Sequence, residues 1–536
     1  MKRLTALLLA LTMLLGFTAC GTEPVQSEPI ATGNSAEQSS ETVTEAPAGT
    51  DKEEKVLRIA QGGAPTTLGM LRADGYCTSI TQNISDALTR INDDCEIEPG
   101  LATSWEWVDE NTWQFTLREG VTFTNGEAFN AEAVVYNLTS LTDRELSCRY
   151  ASHWGDAWPI TVEAVDEYTV NVVTSAPNAF VPNLLTRVVM YAPAQWQAEG
   201  DDEYLTHPSG VGPYEVESWD VGISLTLKKA ETEYWDEDVY FDKVVIDAVA
   251  SDASRISALQ AGEYDLVEGI PYDQVSYLEN AGGDYKLVVE DTVGLNWMYF
   301  NGYNTTNEWI WNVKFREAVV HAIDQEGISE VLFSGICPVM QGPASPRSFG
   351  GNTDTQALSY DPELSKQLLQ EIGYDGTLMR FNICTGEFAN DVEVAEFITA
   401  QLTAVGINVE LNQLDKSLMD EGRKAGECEF CMINTPGSFG GMSDYYWNQM
   451  TSKRGYDNGD ESFEAVDAMF KAAVAYGLTD AERESKLIEA NTALWELVPV
   501  LFAVSSNIVL GMNENLEGVR YAPNSWLYFK NAYYAG

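Results

Sequence analysis

The chain reads as an α/β protein, and three stretches carry that expectation. Trp113, Phe115 and Leu117 alternate with Thr112, Gln114, Thr116 and Arg118, the period of a strand with one buried face. Ser251 and Asp252 supply a cap ahead of the helical segment 255–261, and Gly262 supplies its stop. Strand-length and helix-length apolar segments alternate from 302 to about 505, and a long helix over 480–497 must end at Pro499, which cannot continue it.

The elements follow in order from the amino terminus. Lys2 and Arg3 precede an apolar run over 4–15 and the small pair Thr18-Ala19 before Cys20. A cationic start, a short apolar core and small residues at a cut describe a secretory signal over 1–19, and the run is too short to span a bilayer comfortably. Cys20 at that place matches a bacterial lipobox, with Cys20 the lipidated first residue of the mature chain. Phe17 stands where such boxes usually carry Leu, and ordinary secretory cleavage is the alternative. Residues 20–55 are Ser, Thr, Glu, Pro, Gly and Ala with few large apolar side chains, so they form a tether of roughly 30 Å and no core. The folded body begins at Val56, where Val56, Leu57, Ile59 and Ala60 read as a first strand. Later come an Asn125-Gly126 turn, a helix capped by Asn130 with Val134, Val135 and Leu138 on its apolar face, and a buried strand over 244–249.

Charge and motifs exclude several function classes. A formal net charge of −51, made more negative by loss of Lys2 and Arg3, repels nucleic acid. There is no G-x-S-x-G elbow, no G-x-x-x-x-G-K-[ST] loop and no H-E-x-x-H helix, so no enzyme motif stands out. His153, His207 and His321 have no second His or Cys at a metal-ligand spacing, and neither a metal nor a cofactor is expected. His321 falls in a helix and His207 before Pro208 in a loop, both structural or surface positions. Besides Cys20, the cysteines are Cys77, Cys95, Cys148, Cys337, Cys384, Cys428 and Cys431, an odd number that cannot all pair within one chain. Cys428-x-x-Cys431 lacks a thioredoxin context; Cys431 lies in the apolar run Phe430-Cys431-Met432-Ile433. Core thiols, a disulfide and a metal or redox role all remain open for this pair.

Residues 98–137 read EPGLATSWEWVDENTWQFTLREGVTFTNGEAFNAEAVVYN. This wording resembles the family-5 solute-binding proteins that feed peptide and nickel ABC importers. So do Gly212-Pro213-Tyr214 with Tyr234-Trp235, RISALQAGEYDL over 255–266, FREAVVHAID over 315–324, and YDPELSKQLLQEIG over 360–373, five segments in the family's order. The resemblance implies two lobes of the type II periplasmic-binding-protein kind, joined by a hinge, with an extra subdomain in lobe I. Lobe I takes 56–98, 209–301 and 507–536; the subdomain is 99–208; lobe II is 302–506. It also implies a monomeric receptor, anchored outside the cell by its lipid, that captures an oligopeptide or a metal chelate and hands it to permease and ATPase subunits on other chains. An enzyme or ligand sensor on the same fold is the competing class.

The site residues follow from the same resemblance. Segments 141–154 (LTDRELSCRYASHW) and 179–193 (AFVPNLLTRVVMYAP) are similar to those carrying two ligand arginines in the nickel branch, which points to Arg149 and Arg187, with Arg144 competing for the first place. Arginine suits the task because its planar fork pairs carboxylates bidentately and its charge does not titrate away. Trp154 offers a stacking face beside Arg149, and His153 a ligand for a metal held in the chelate. In lobe II the family's Trp-to-Asp spacing for a peptide amino terminus is absent from 432–447, so Asp444, Phe439 and Tyr445 stand as approximate substitutes.

Overall fold

The computed structural model describes residues 54–69, 75–142, 154, 159–351, 355–435 and 461–535, all within one compact unit that begins at Glu54. Cys20 and the leader and tether segments lie outside these residues.

Two large sheets and one smaller sheet organise the described chain. The first has seven strands, in spatial order Tyr285–Glu290, Ile508–Asn513, Leu266–Glu268, Val56–Gln61, Lys243–Ala248, Ser224–Lys229 and Tyr214–Asp220. Val56–Gln61 runs parallel to both of its neighbours, and apolar cores cover it on both faces: Leu57 and Ile59 on one, Ala60 on the other. That is why its sequence is nearly continuous in apolar residues. The second sheet has five strands: Val409–Leu414, Met379–Cys384, Phe430–Thr435, Leu295–Phe300 and Val500–Ser505. Met379–Cys384 is parallel to both neighbours, while Leu295–Phe300 is antiparallel to both of its own.

The described chain crosses between the two large sheets twice. The first change falls between Glu290 and Leu295, ahead of the 301 boundary expected from the sequence, and the second between Ser505 and Ile508. Every residue of Leu295–Phe300 is buried, so the strand has no alternation to say which sheet it joins.

The four-stranded antiparallel sheet, Ala102–Asp109, Thr112–Leu117, Thr169–Val173 and Thr161–Asp166, carries the segment that opened the family resemblance. Trp113, Phe115 and Leu117 point into the core as the alternation requires. Gly126, at φ 87°, closes the Asn125-Gly126 turn, and the Asn130 side chain accepts a bond from Ala133 N at 3.0 Å to start the helix Ala131–Thr142. Ser251 caps Asp252–Ala261, which Gly262 ends at φ 68°. The long helix is Asp480–Glu496, started by a reciprocal capping box between Thr479 and Glu482.

One buried charge knot ties segments from both ends of the described chain together. The Asp86 carboxylate, 2% exposed, accepts bonds from Arg90 Nη2 (2.8 Å), Lys530 Nζ (2.6 Å), Tyr234 OH (2.8 Å) and Trp235 Nε1 (2.9 Å). Tyr234 and Trp235 stand side by side here because both rings deliver a polar edge to Asp86. Burial alone would raise this acid, but Lys530 and Arg90 outweigh it and hold Asp86 below the ordinary carboxylate value.

Candidate functional site

Topology locates a cleft before any side chain is considered. In open α/β sheets ligands bind beyond the carboxyl ends of the parallel strands. In the first sheet those ends are Gln61, Ala248 and Glu268; in the second they are Cys384, Leu414 and Thr435. Glu268 pairs with Leu510 and Glu290 with Ile508, while Thr435 and Ser505 both pair with Leu295. The carboxyl ends of both sheets therefore lie at the level of the two crossings.

The crossings are fastened to one another. Thr292 Oγ1 donates to Ser506 O at 2.9 Å, Ser506 N to Gly294 O at 2.9 Å, and Thr292 N to the Asn507 side-chain oxygen at 3.3 Å. Asn507 Nδ2 donates to Ile336 O at 2.9 Å, and Asn507 O accepts from Tyr272 OH at 2.8 Å. Asn434, one residue before the end of its strand, bridges Asn296 and Ser506 at 2.8 and 2.9 Å.

Beside the crossings lies a short hairpin, Arg520–Ala522 with Trp526–Tyr528. Its turn is tied to the first crossing, because Val293 N donates to Pro523 O at 3.0 Å. Tyr521 reaches the Glu268 carboxyl, which also accepts from Gln61 Nε2. Burial pushes the Glu268 carboxyl above its usual value, and the bonds from Gln61 and Tyr521 offset this in part. Gly62 and Gly63 follow Gln61, and a Cβ at Gly63 would lie 2.8 Å from the Tyr76 ring, so the loop needs glycine for that close approach.

Arg187 belongs to this neighbourhood. It follows the short helix Val181–Leu185 and is buried, its guanidinium lying over the Trp526 ring of the hairpin at 5.2 Å. Trp154 is 1% exposed and packs within the largest apolar core. Arg149, Arg144, His153, Phe439, Asp444 and Tyr445 lie outside the described residues, although the segment holding the last three departs from Thr435 at a carboxyl end. His321 is a structural residue, its Nδ1 2.6 Å from Ser359 O, and His207 is a surface one near Glu199. Gln61, Glu268, Tyr521 and Trp526 were not singled out from the sequence. A strand running into Gly62-Gly63 was the available signal for Gln61; nothing local marks the other three. Among the described residues no group of three His, Cys, Asp or Glu could hold a metal ion, and no helix is long and apolar enough to cross a membrane.

A second contact lies between the four-stranded sheet and the helical hairpin that flanks the five-stranded one. Trp107 stacks on Trp113 at 5.1 Å; Tyr476, in the turn between Glu461–Ala473 and Asp480–Glu496, meets Trp107 edge-on at 5.0 Å. The Arg483 guanidinium sits 5.6 Å from the same Trp107 ring, and Phe180 meets Phe349 edge-on at 6.2 Å.

Comparison with known proteins gives this geometry a context. The model of the bacterial extracellular solute-binding proteins, family 5 Middle, matches residues 96–457. The glutathione-binding protein GsiB of Salmonella typhi is 26% identical over 495 residues, which cover 89% of this chain and 94% of that protein. The periplasmic binding protein DppA of Helicobacter pylori, solved with the peptide STSA, superposes with a TM-score of 0.76 at 23% identity, covering 89% of this chain and 98% of that one. NikA of Brucella suis, solved with Fe(III)-EDTA, superposes with a TM-score of 0.77 at 19% identity, covering 90% and 100%.

Proposed function

The chain belongs to the family-5 bacterial extracellular solute-binding proteins, two-lobed binding proteins of ABC importers rather than enzymes, and from that premise we propose that it captures a short, carboxylate-bearing peptide in the cleft between its sheets. The observation that carries this reading is the buried Arg187 over Trp526, on a hairpin tied to the first crossing. A guanidinium held over an indole offers a planar fork that pairs a carboxylate bidentately. Arg149, Trp154, Phe439, Asp444 and Tyr445 complete the site in this proposal. A metal–chelate ligand is the second reading, with His153 beside the metal. It is favoured by the nickel-branch wording around Arg149 and Arg187, and its chelator's carboxylates would use the same arginine.

Lobe I in this reading comprises the seven-stranded sheet with the four-stranded sheet as its subdomain, and lobe II the five-stranded sheet. Ligand touching both lobes selects the closed state. Cys20 carries the lipid that keeps a monomeric receptor beside its permease and ATPase.

Mass spectrometry of material co-purifying with the native protein separates a peptide from a metal chelate. Calorimetry with reduced glutathione, and with Fe(III)-EDTA, then tests each class on wild type and on Arg187→Ala. Loss of a buried charge-assisted pair weakens binding by roughly 2–5 kcal/mol. Wild-type affinity in Arg187→Ala, with whichever probe binds, returns that residue to a packing role. An unchanged radius of gyration in scattering at saturation argues against closure, and membrane retention of Cys20→Ala argues against the anchor.

A further inference from the structure

We propose that Cys428 and Cys431 are joined by a disulfide in the exported protein, stapling the turn that leads into the strand Phe430–Thr435. The two sulfurs lie 3.3 Å apart and both residues are fully buried. Cys431 is fixed by its strand, opposite Tyr299 on one side and Asn382 on the other. Cys428 is fixed independently: the buried Asn301 donates from Nδ2 to Cys428 O at 3.1 Å and to Arg423 O at 3.0 Å, and reaches Cys428 Sγ at 3.6 Å. Ahead of it, Gly426 turns at φ 70° with its Cα so close to Tyr303 that an added Cβ would stand 2.7 Å from Tyr303 O. Two separately anchored segments thus present their sulfurs to each other.

A metal thiolate site is the chemical competitor, and the surroundings do not supply it. Among the described residues no third His, Cys, Asp or Glu joins the pair. The adjacent Glu429 turns its carboxylate the other way, to Arg380, Asn304 and Asn307. Two thiols alone leave a tetrahedral ion half-coordinated. An exported protein meets an oxidising compartment, so two thiols in contact are set to be oxidised there. This step rests on export, which family membership carries, and not on the identity of the ligand.

The chemistry is thiol–disulfide exchange with a disulfide-bearing extracytoplasmic oxidoreductase. One cysteine thiolate attacks the oxidant's disulfide and expels one of its sulfurs as a thiol. The second cysteine sulfur then attacks the mixed disulfide and releases the other. The protein pair loses two electrons and two protons, and the oxidant's two sulfurs gain them. In the folded chain the hydrogen bond with Cys431 and burial raise the Cys428 thiol above its ordinary value.

The test uses the full-length exported protein, alkylated with iodoacetamide in intact cells before lysis and again on denaturation without reductant. Lys424 and Lys453 bound a tryptic peptide that contains Cys428 and Cys431 and no other cysteine. The expected result is that peptide unalkylated and about two mass units lighter than the dithiol form, gaining two alkyl groups only after reduction. Alkylation of both cysteines without reductant overturns the proposal, whatever the ligand proves to be. Reductant should also lower the thermal midpoint of wild type more than that of Cys428→Ser/Cys431→Ser; an equal response of the two proteins overturns the stapling role.

Discussion

The two crossings and the Trp107 contact both join the halves of this molecule, and they are built from different forces. At the crossings Thr292, Ser506 and Asn507 exchange hydrogen bonds with one another and with Gly294 and Ile336, and Thr292 and Asn507 are almost fully buried. At the far contact Trp107 meets Tyr476 through ring faces and edges, Tyr476 is 45% exposed, and the Trp107 indole N–H is buried with no bond among the described residues. Separating the first costs several directional bonds to groups that water cannot reach. Separating the second loses ring and cation–ring contacts of Trp107 and Phe180 and wets an unsatisfied N–H, so part of its cost is returned. That asymmetry predicts pivoting at the crossings and parting at the Trp107 side, which scattering can test.

The largest expected effect comes from breaking the crossing side. Asn507→Ala removes the acceptor for Thr292 N and the donor for Ile336 O, in a residue 5% exposed. Each buried group left unpaired costs about 1–3 kcal/mol, so with two such groups the variant should lose roughly 2–6 kcal/mol in denaturant unfolding. A cost no greater than that of Tyr476→Ala would erase the distinction between the two contacts.

The Trp107 side should show a smaller and more local effect. A double-mutant cycle of Trp107→Ala and Tyr476→Ala should give a coupling of about 0.5–1.5 kcal/mol, the range for an edge-on aromatic pair. Either single change should also raise the radius of gyration of the ligand-free protein in scattering. Zero coupling with an unchanged radius would make the contact an incidental surface one.

How much of this was legible in the sequence depends on how far each signal reaches. The strand Thr112–Leu117, the Asn130 and Ser251 caps and the stop at Gly262 follow from patterns a few residues long, and the chain folds there as they direct. Leu295–Phe300 resisted placement because a strand buried on every residue has no face to read. Tyr234-Trp235 was visible as a motif, yet its reason, the Asp86 carboxylate, joins residues that only the folded chain brings together. Arg187 was named from a resemblance of its segment; its partner ring, Trp526, carries no local mark, since the two meet only when the last hairpin packs beside the first crossing. Glu268 was invisible for the same reason: its burial under Tyr521 and Gln61 is a property of the sheet's end and not of its neighbours in sequence.

The smallest effect is one of pH, and it sharpens the comparison by placing a titrating group on the crossing side. Burial raises Glu268 above the ordinary glutamate value of 4.5, and the bonds from Gln61 and Tyr521 offset this only in part. The folded state therefore holds this proton more tightly than the unfolded chain. A raised acid contributes stability that is full below the unfolded value and is lost as pH rises through the folded one. Asp86 has the opposite sign: depressed below 3.8, it contributes above that value and fails only in stronger acid. The two windows do not overlap, so thermal midpoints between pH 4.5 and 7 isolate Glu268 from the knot. Wild type should lose stability across that window relative to Glu268→Gln, which keeps an oxygen acceptor and cannot ionise. Parallel pH profiles for the two proteins would mean that folding leaves the Glu268 carboxyl at its ordinary value, and that its place at the end of the first sheet does not hold the proton.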